Sequence, residues 1–172
     1  MDTGHRVKIV EVPARKGYFH PLGPAEIRHA LEFFGSLAVY GLESVELRPS
    51  AGRSARGIPI ARLQVPGRVV LYEQPSPPWI MAGLSRASIS RLTKAGASVE
   101  QKLGVAHVQW TAEALKNFVL FEGLMHEVGH HLIQQHTGKR IVRVMRTADH
   151  ERRAAAFADM CRRAWARDRS MR

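Results

Sequence analysis

The spacing of apolar residues predicts two long helices. In the segments 24–40 and 111–137 apolar side chains recur at steps of three and four, which places them on one face of an α-helix. Gly41 is expected to end the first helix. Thr111 stands where a helix needs an N-cap, and Gly138 stands where a helix commonly ends. The buried stripe predicted for the second helix comprises Phe118, Phe121, Met125, Val128 and Leu132.

Shorter elements are predicted between and after these helices. The strand candidates are 44–48, two strands within 58–74 that turn at Pro66 and Gly67, and 105–110. The other predictions are a loop over 75–79, a short helix over 85–95, a strand or turn over 141–145, and a last helix from Thr147 or Asp149 to about 167. This order, with an N-terminal helix, a small mostly antiparallel sheet and two C-terminal helices, predicts an α+β fold.

The length and composition favour one soluble unit. A chain of 172 residues without a repeat or long linker predicts a single domain over 1–172, with the helix and sheet in 1–110, the long helix in 111–137 and the last helix in 147–167. No apolar run approaches the roughly 20 residues that cross a bilayer, and no secretory signal is recognisable. We therefore expect a cytoplasmic protein with no membrane partner. The only cysteine, Cys161, excludes an intrachain disulfide and a thiolate zinc site.

The charge is strongly basic, and the excess lies near the C-terminus. The formal net charge is +11. The segment from Lys139 to Arg172 contains eleven Lys and Arg residues and four acidic residues, a net charge of +7. Such a surface attracts nucleic acid, acidic proteins or anionic lipid. A solvated arginine-rich face explains the same charge, and no recognisable nucleic-acid-binding motif accompanies it. Nucleic acid bound through this region is therefore a possible partner that the sequence does not establish.

The stretch from His126 to His130 reads HEVGH and fits a metal site. On a helix the two histidines lie one turn apart on the same face, so two neutral imidazoles can share one zinc ion. Glu127 lies about 100° round the helix from His126, a poor direction for a third ligand. From there its carboxylate can reach a water molecule on the metal and accept a proton from it. The pattern thus predicts His126 and His130 as ligands and Glu127 as the general base.

Two residues compete to be the third ligand. His136 follows His130 by six residues, roughly 240° round a continuing helix, and the glycine that would break the helix between them is replaced by Ile133. Glu151 follows His130 after a stretch long enough for the helix to end at Gly138 and the chain to return antiparallel. Ala154, Ala155 and Ala158 share one side of the last helix with it and would permit a close approach. Glu151 is therefore the favoured third ligand.

The two motifs together resemble those of gluzincin-type zinc metallopeptidases, above all the short ImmA/IrrE-like peptidases. In that group HExxH is followed by E-x-x-A-x-x-F-A, which is matched position by position by Glu151, Ala154, Phe157 and Ala158. The resemblance extends over 118–159. It implies a zincin-like fold, with a small sheet beside the active-site helix and an edge strand that binds extended peptide.

The resemblance also implies a reaction and a set of roles. It implies Zn²⁺ held by His126, His130 and Glu151, peptide-bond hydrolysis with Glu127 as general base, and a peptide or protein substrate. The residue that would stabilise the oxyanion has no motif of its own. Its candidates are Tyr72, His107 and His150.

The sequence departs from the resemblance and leaves two alternatives open. Ala155 stands where longer gluzincins carry an aspartate that steadies a ligand, and Asp159 replaces it only if the helix packs suitably. One alternative is a protease of DNA-bound proteins resembling the Spartan-like HExxH enzymes, which the basic C-terminus favours. The other is a non-catalytic zinc-binding module whose basic face contacts nucleic acid or a partner.

Overall fold

A computed structural model describes residues 6–50, 57–138 and 146–171 of the chain. Its strands are β1 (Lys8–Glu11), β2 (Tyr18–Phe19), β3 (Ser44–Arg48), β4 (Ala61–Gln64), β5 (Arg68–Tyr72), β6 (Gln74–Pro75), β7 (Trp79–Ala82), β8 (Ser98–Lys102) and β9 (Val105–Gln109). Its helices are α1 (Pro24–Phe34), α2 (Ser36–Val39), α3 (Arg86–Lys94), α4 (Ala112–Phe118), a π-helical segment (Val119–Met125), α5 (His126–His136) and α6 (Ala148–Ser170). The α+β class is confirmed.

Within the described residues the strands form three sheets rather than the single small sheet expected from the sequence. The largest has the order β1-β3-β5-β4, in which β1, β3 and β5 run parallel and β4 is an antiparallel edge strand. The β1–β3 pair is parallel because α1 and α2 carry the chain over between these strands, whereas a tight turn joins β4 to β5 and makes that pair antiparallel. The sheet β7-β9-β8 is antiparallel, and β2 pairs with β6. The residues expected to form a loop over 75–79 contribute to β6 and β7.

The first helix is shorter than its apolar pattern predicts. Pro24 opens α1, where the Glu26 carboxylate accepts a hydrogen bond from the Gly23 N–H at 2.8 Å. Gly35 then takes a positive φ of 56°, which ends α1, and the separate turn α2 follows. The predicted helix over 24–40 is thus two helices.

The second predicted helix is continuous, but its middle is not α-helical. Thr111 caps it as expected, because its Oγ1 accepts a hydrogen bond from the Ala114 N–H at 3.1 Å. Val119–Met125 is π-helical, and at its end the His126 N–H bonds to the Phe121 carbonyl five residues earlier. The helix ends at Gly138, whose φ is 70°, as the sequence predicts. The predicted stripe is buried, with Leu132 at its margin.

The last helix begins as predicted and extends slightly further. The Thr147 Oγ1 accepts a hydrogen bond from the His150 N–H at 3.3 Å, and α6 runs to Ser170. The predicted strand or turn over 141–145 lies outside the described residues. None of the helices in the described ranges has the length and apolar character needed to span a bilayer.

The helices that carry the HExxH motif and Glu151 pack directly against each other and against the edge of the large sheet. The contacts of α5 include both α6 and β4, and the π-helical segment contacts α6, β4 and β5. Small residues permit the helix contact, because a Cβ on Gly129 would lie 3.0 Å from the Cα of Ala154. Ala154 and Ala158 are buried on α6. This close packing determines how near Glu151 comes to the histidines.

Candidate metal centre

The two histidines of the HExxH motif lie on one face of α5. Their ring centroids are 4.9 Å apart, one helical turn along the axis. The His130 side chain is only 1% exposed, whereas that of His126 is 17% exposed. The pair therefore opens to solvent mainly on the His126 side.

Glu151 reaches this pair from the first turns of α6. Its Oε2 lies 3.1 Å from His126 Nε2, and its Oε1 lies 3.4 Å from His130 Nε2. The three ligand atoms all lie within 4.8 Å of one another. Atoms bound tetrahedrally to zinc at about 2.0–2.1 Å are separated by about 3.3 Å, so only small movements are needed around an ion. His126, His130 and Glu151 are close enough to hold one metal ion.

The electrostatics of the cluster favour the protonation states that bind a metal. Burial lowers the pKa of His130, which keeps this imidazole neutral at neutral pH. Burial alone would raise the pKa of the Glu151 carboxyl, but His130, His126 and the Arg146 guanidinium outweigh it and hold that pKa below its usual value. A neutral imidazole and a carboxylate are the forms that coordinate cations.

Glu127 is buried beside the ligand set and is fixed by the sheet. Its side chain is 5% exposed, and its Oε2 accepts a hydrogen bond from the Leu63 N–H of β4 at 2.9 Å. This backbone bond is possible because the β4–β5 pairing turns the Leu63 amide away from β5. The place of the Glu127 carboxylate in the site is therefore fixed by β4 as well as by α5.

Arg146 is the residue at this site that the sequence reasoning missed. Its Nη2 donates to both oxygens of Glu127, at 2.8 and 3.0 Å. Its Nη1 lies 3.4 Å from His130 Nε2 and 3.4 Å from Glu151 Oε1. A single arginine just before a capped helix forms no pattern of its own. Only its distance of five residues from Glu151 could have drawn attention to it.

The other candidate ligand does not join the cluster. His136 is exposed near the end of α5, where its Nδ1 contacts the Leu132 carbonyl oxygen at 2.7 Å. The metal-binding group found among the described residues does not include it. The sequence's preference for Glu151 over His136 agrees with this geometry.

The proposed oxyanion residues lie on three different elements. Tyr72 ends β5, and His107 belongs to β9 in the separate antiparallel sheet, paired in register with Ile80 and Glu100. His150 lies in the first turn of α6, one residue before Glu151. Their roles stay predictions, and the contacts to Glu127 described above come from Arg146 and Leu63 instead.

Neighbouring residues take structural roles that the sequence did not predict. His131 is fully buried, and its Nε2 lies 3.1 Å from the Tyr40 carbonyl oxygen. Arg162 pairs with both Glu122 and Asp159, at 2.5 and 2.7 Å. Asp159 is thus engaged away from the ligands, and it does not replace the missing aspartate of longer gluzincins.

Part of the basic charge of the C-terminal helix is neutralised within the fold. Arg152 pairs with Asp149 at 2.9 Å, and Arg169 pairs with Glu113 on α4. Such exposed pairs contribute little to stability, but they reduce the positive field that the sequence count suggests. Nucleic-acid binding through this region stays a prediction.

Comparisons with known proteins do not identify the chain. No protein-family model, no curated protein and no solved structure matches it. The residues of the candidate centre therefore carry the functional argument alone.

Proposed function

We propose that the chain is a zinc-dependent metallopeptidase of gluzincin type. The observation that carries the proposal is the convergence of His126, His130 and Glu151 from two helices, with their ligand atoms within 4.8 Å of one another. Two imidazoles and one carboxylate are the ligand set of catalytic zinc sites that keep a fourth position open. When bound there, zinc would polarise a carbonyl group and make a water molecule more acidic.

Glu127 suits the role of general base because its position is fixed before substrate arrives. It is buried, anchored by the Leu63 N–H, and adjacent in sequence to one ligand. In the proposed reaction it accepts a proton from the attacking water as the water oxygen bonds to the peptide carbonyl carbon. The carbon–nitrogen bond then breaks, and Glu127 returns the proton to the departing amine.

The edge strand β4 supports an extended peptide as the substrate. The pairing of β4 with β5 directs the backbone groups of Ala61 and the carbonyl of Leu63 away from β5, towards the side where the Leu63 N–H binds Glu127. An added peptide strand would be held there by backbone hydrogen bonds, which are independent of its side chains. The strand that anchors the base would thus also align the scissile bond.

The test separates metal binding from chemistry. Protein purified without chelator is analysed for metal, and Glu127→Gln is compared with wild type for cleavage of casein. We expect about one zinc per chain in both proteins, with cleavage reduced at least about a thousandfold in the variant. Zinc without any cleavage by the wild type would favour the non-catalytic module. Absence of bound metal would refute the proposal altogether.

A further inference from the structure

The Arg146 guanidinium bridges the candidate base and the candidate ligands. Its Nη2 holds both oxygens of Glu127, while its Nη1 lies 3.4 Å from His130 Nε2 and from Glu151 Oε1. The side chain is 41% exposed, so part of it contacts solvent while its donors face the site. One guanidinium group therefore contacts the candidate base through Nη2 and lies beside two candidate ligands through Nη1.

The Nη1 position has a simple meaning in coordination geometry. In a tetrahedral zinc site with bonds of about 2.0–2.1 Å, neighbouring corners are about 3.3 Å apart. Nη1 is separated from two of the three ligand atoms by 3.4 Å, close to the length of such an edge. A positively charged N–H group cannot be a ligand itself. Nη1 therefore lies beside two of the candidate ligand atoms, and an oxygen of water or substrate that bound an ion held by them would have the guanidinium as its neighbour.

We propose that Arg146 is a further catalytic residue, which donates hydrogen bonds to the substrate's carbonyl oxygen as that oxygen becomes negatively charged. As water attacks, the π electrons of the carbonyl move onto the oxygen, and Arg146 stabilises this charge without giving up its own proton. The inference rests on the proposed function, and it assigns the role that the sequence left to Tyr72, His107 or His150.

The site is arranged to hold Arg146 ready for this role. Glu127 is itself fixed by the Leu63 N–H, so the carboxylate that orients the guanidinium cannot drift with it. A donor held in advance costs no reorganisation when charge develops. A mere structural partner of Glu127 would need only Nη2, whereas here Nη1 is directed at the ligand atoms.

The test measures whether Arg146 discriminates an anion from a neutral ligand at the metal. Cobalt(II)-loaded wild type and Arg146→Gln are titrated with azide and, separately, with imidazole, and binding is followed by visible absorption. We expect azide to bind about ten- to a hundredfold more weakly in the variant, because a charge-assisted hydrogen bond is lost, with imidazole affinity unchanged. Arg152→Gln removes an equal charge from an exposed pair on α6 and should change neither.

Two further comparisons keep the test decisive. If Arg146→Gln fails to fold because Glu127 loses its partner, Glu127→Gln is compared with the double variant Glu127→Gln/Arg146→Gln, which leaves no unpaired buried charge. The same loss of azide affinity is expected. In zinc-loaded enzyme, Arg146→Gln should lower kcat for casein cleavage about a hundredfold or more, with a smaller change in KM.

The outcomes distinguish this inference from the proposed function. Equal azide affinity with and without Arg146 overturns the inference, even where the wild type cleaves casein. Loss of metal from Arg146→Gln also overturns it, because the residue would then act by holding the ligands. Failure of the wild type to bind any metal refutes the proposed function, and the role of Arg146 with it.

Discussion

His126 Nε2 and Glu151 Oε2 lie 3.1 Å apart, although 25 residues separate them in the chain. Two helices meet at this contact, and the carboxylate closes a ligand set that α5 alone could not complete. A single polar contact between partly buried side chains contributes little to the stability of a fold. The contact matters because it brings the candidate ligand atoms of His126, His130 and Glu151 close enough together to hold one cation.

This contact predicts how metal content depends on single residues. Replacing Glu151 with Ala removes one of three ligands, and we expect zinc affinity to fall by at least about a hundredfold, since even residues behind the ligands change it ten- to a hundredfold. His136→Ala, which removes an exposed histidine of the same α5 helix, should keep the wild-type zinc content. Metal analysis after gel filtration measures both. Zinc retained by Glu151→Ala but lost from His136→Ala would reverse the assignment.

The close approach of Gly129 to Ala154 gives a second prediction. A Cβ at Gly129 would lie 3.0 Å from the Cα and 3.1 Å from the carbonyl oxygen of Ala154. These are backbone atoms of α6, which cannot shift without disturbing the helix. Gly129→Val should lower the free energy of unfolding by about 1–3 kcal/mol and weaken zinc binding, because it separates α5 from α6. Urea unfolding and zinc titration provide the measurements. His136→Val, an exposed β-branched substitution on α5, should change both little.

The sequence could predict that His126, His130 and Glu151 come together because each step used local periodicity. The HExxH spacing places His126 and His130 on one helical face, and Gly138 marks where the chain can return. The alanines after Glu151 indicate which side of α6 comes close, and Ala154 does contact Gly129. The paired strands around the turn at Pro66 and Gly67 were likewise encoded by nearby residues.

The features that were missed depend on contacts between distant parts of the chain. Arg146, which precedes α6, gains its role from Glu127 on α5, 19 residues away in the chain. The π-helical turns of Val119–Met125 have no residue signature, and the parallel pairs β1–β3 and β3–β5 depend on crossovers that periodicity does not reveal. His131 is buried because α5 packs on both sides, whereas the sequence suggested a single buried stripe.

Cys161 provides a probe of how α6 packs. Burial raises the pKa of its thiol to about 11 from 9.0, which lowers the reactive thiolate fraction near neutral pH about a hundredfold. Iodoacetamide should therefore modify native protein far more slowly than urea-unfolded protein. Since the chain has a single cysteine, mass spectrometry reports this site alone. Equal rates in the two states would mean that the α6 face bearing Cys161 is not buried.

The lowered pKa of His130 predicts how the metal-free protein responds to pH. Unfolded chains would bind a proton at His130 below about pH 6.5, whereas the folded state resists protonation because the ring is buried. The contribution of His130 to the free energy of unfolding is therefore constant above that pH. Below it, the free energy of unfolding falls as the pH decreases, by at most about 1.4 kcal/mol per pH unit. Urea unfolding in chelator at pH 7.5, 6.5 and 5.5 should show this loss. In His130→Gln the decline over this window should be smaller, and an equally steep decline would assign it to other groups.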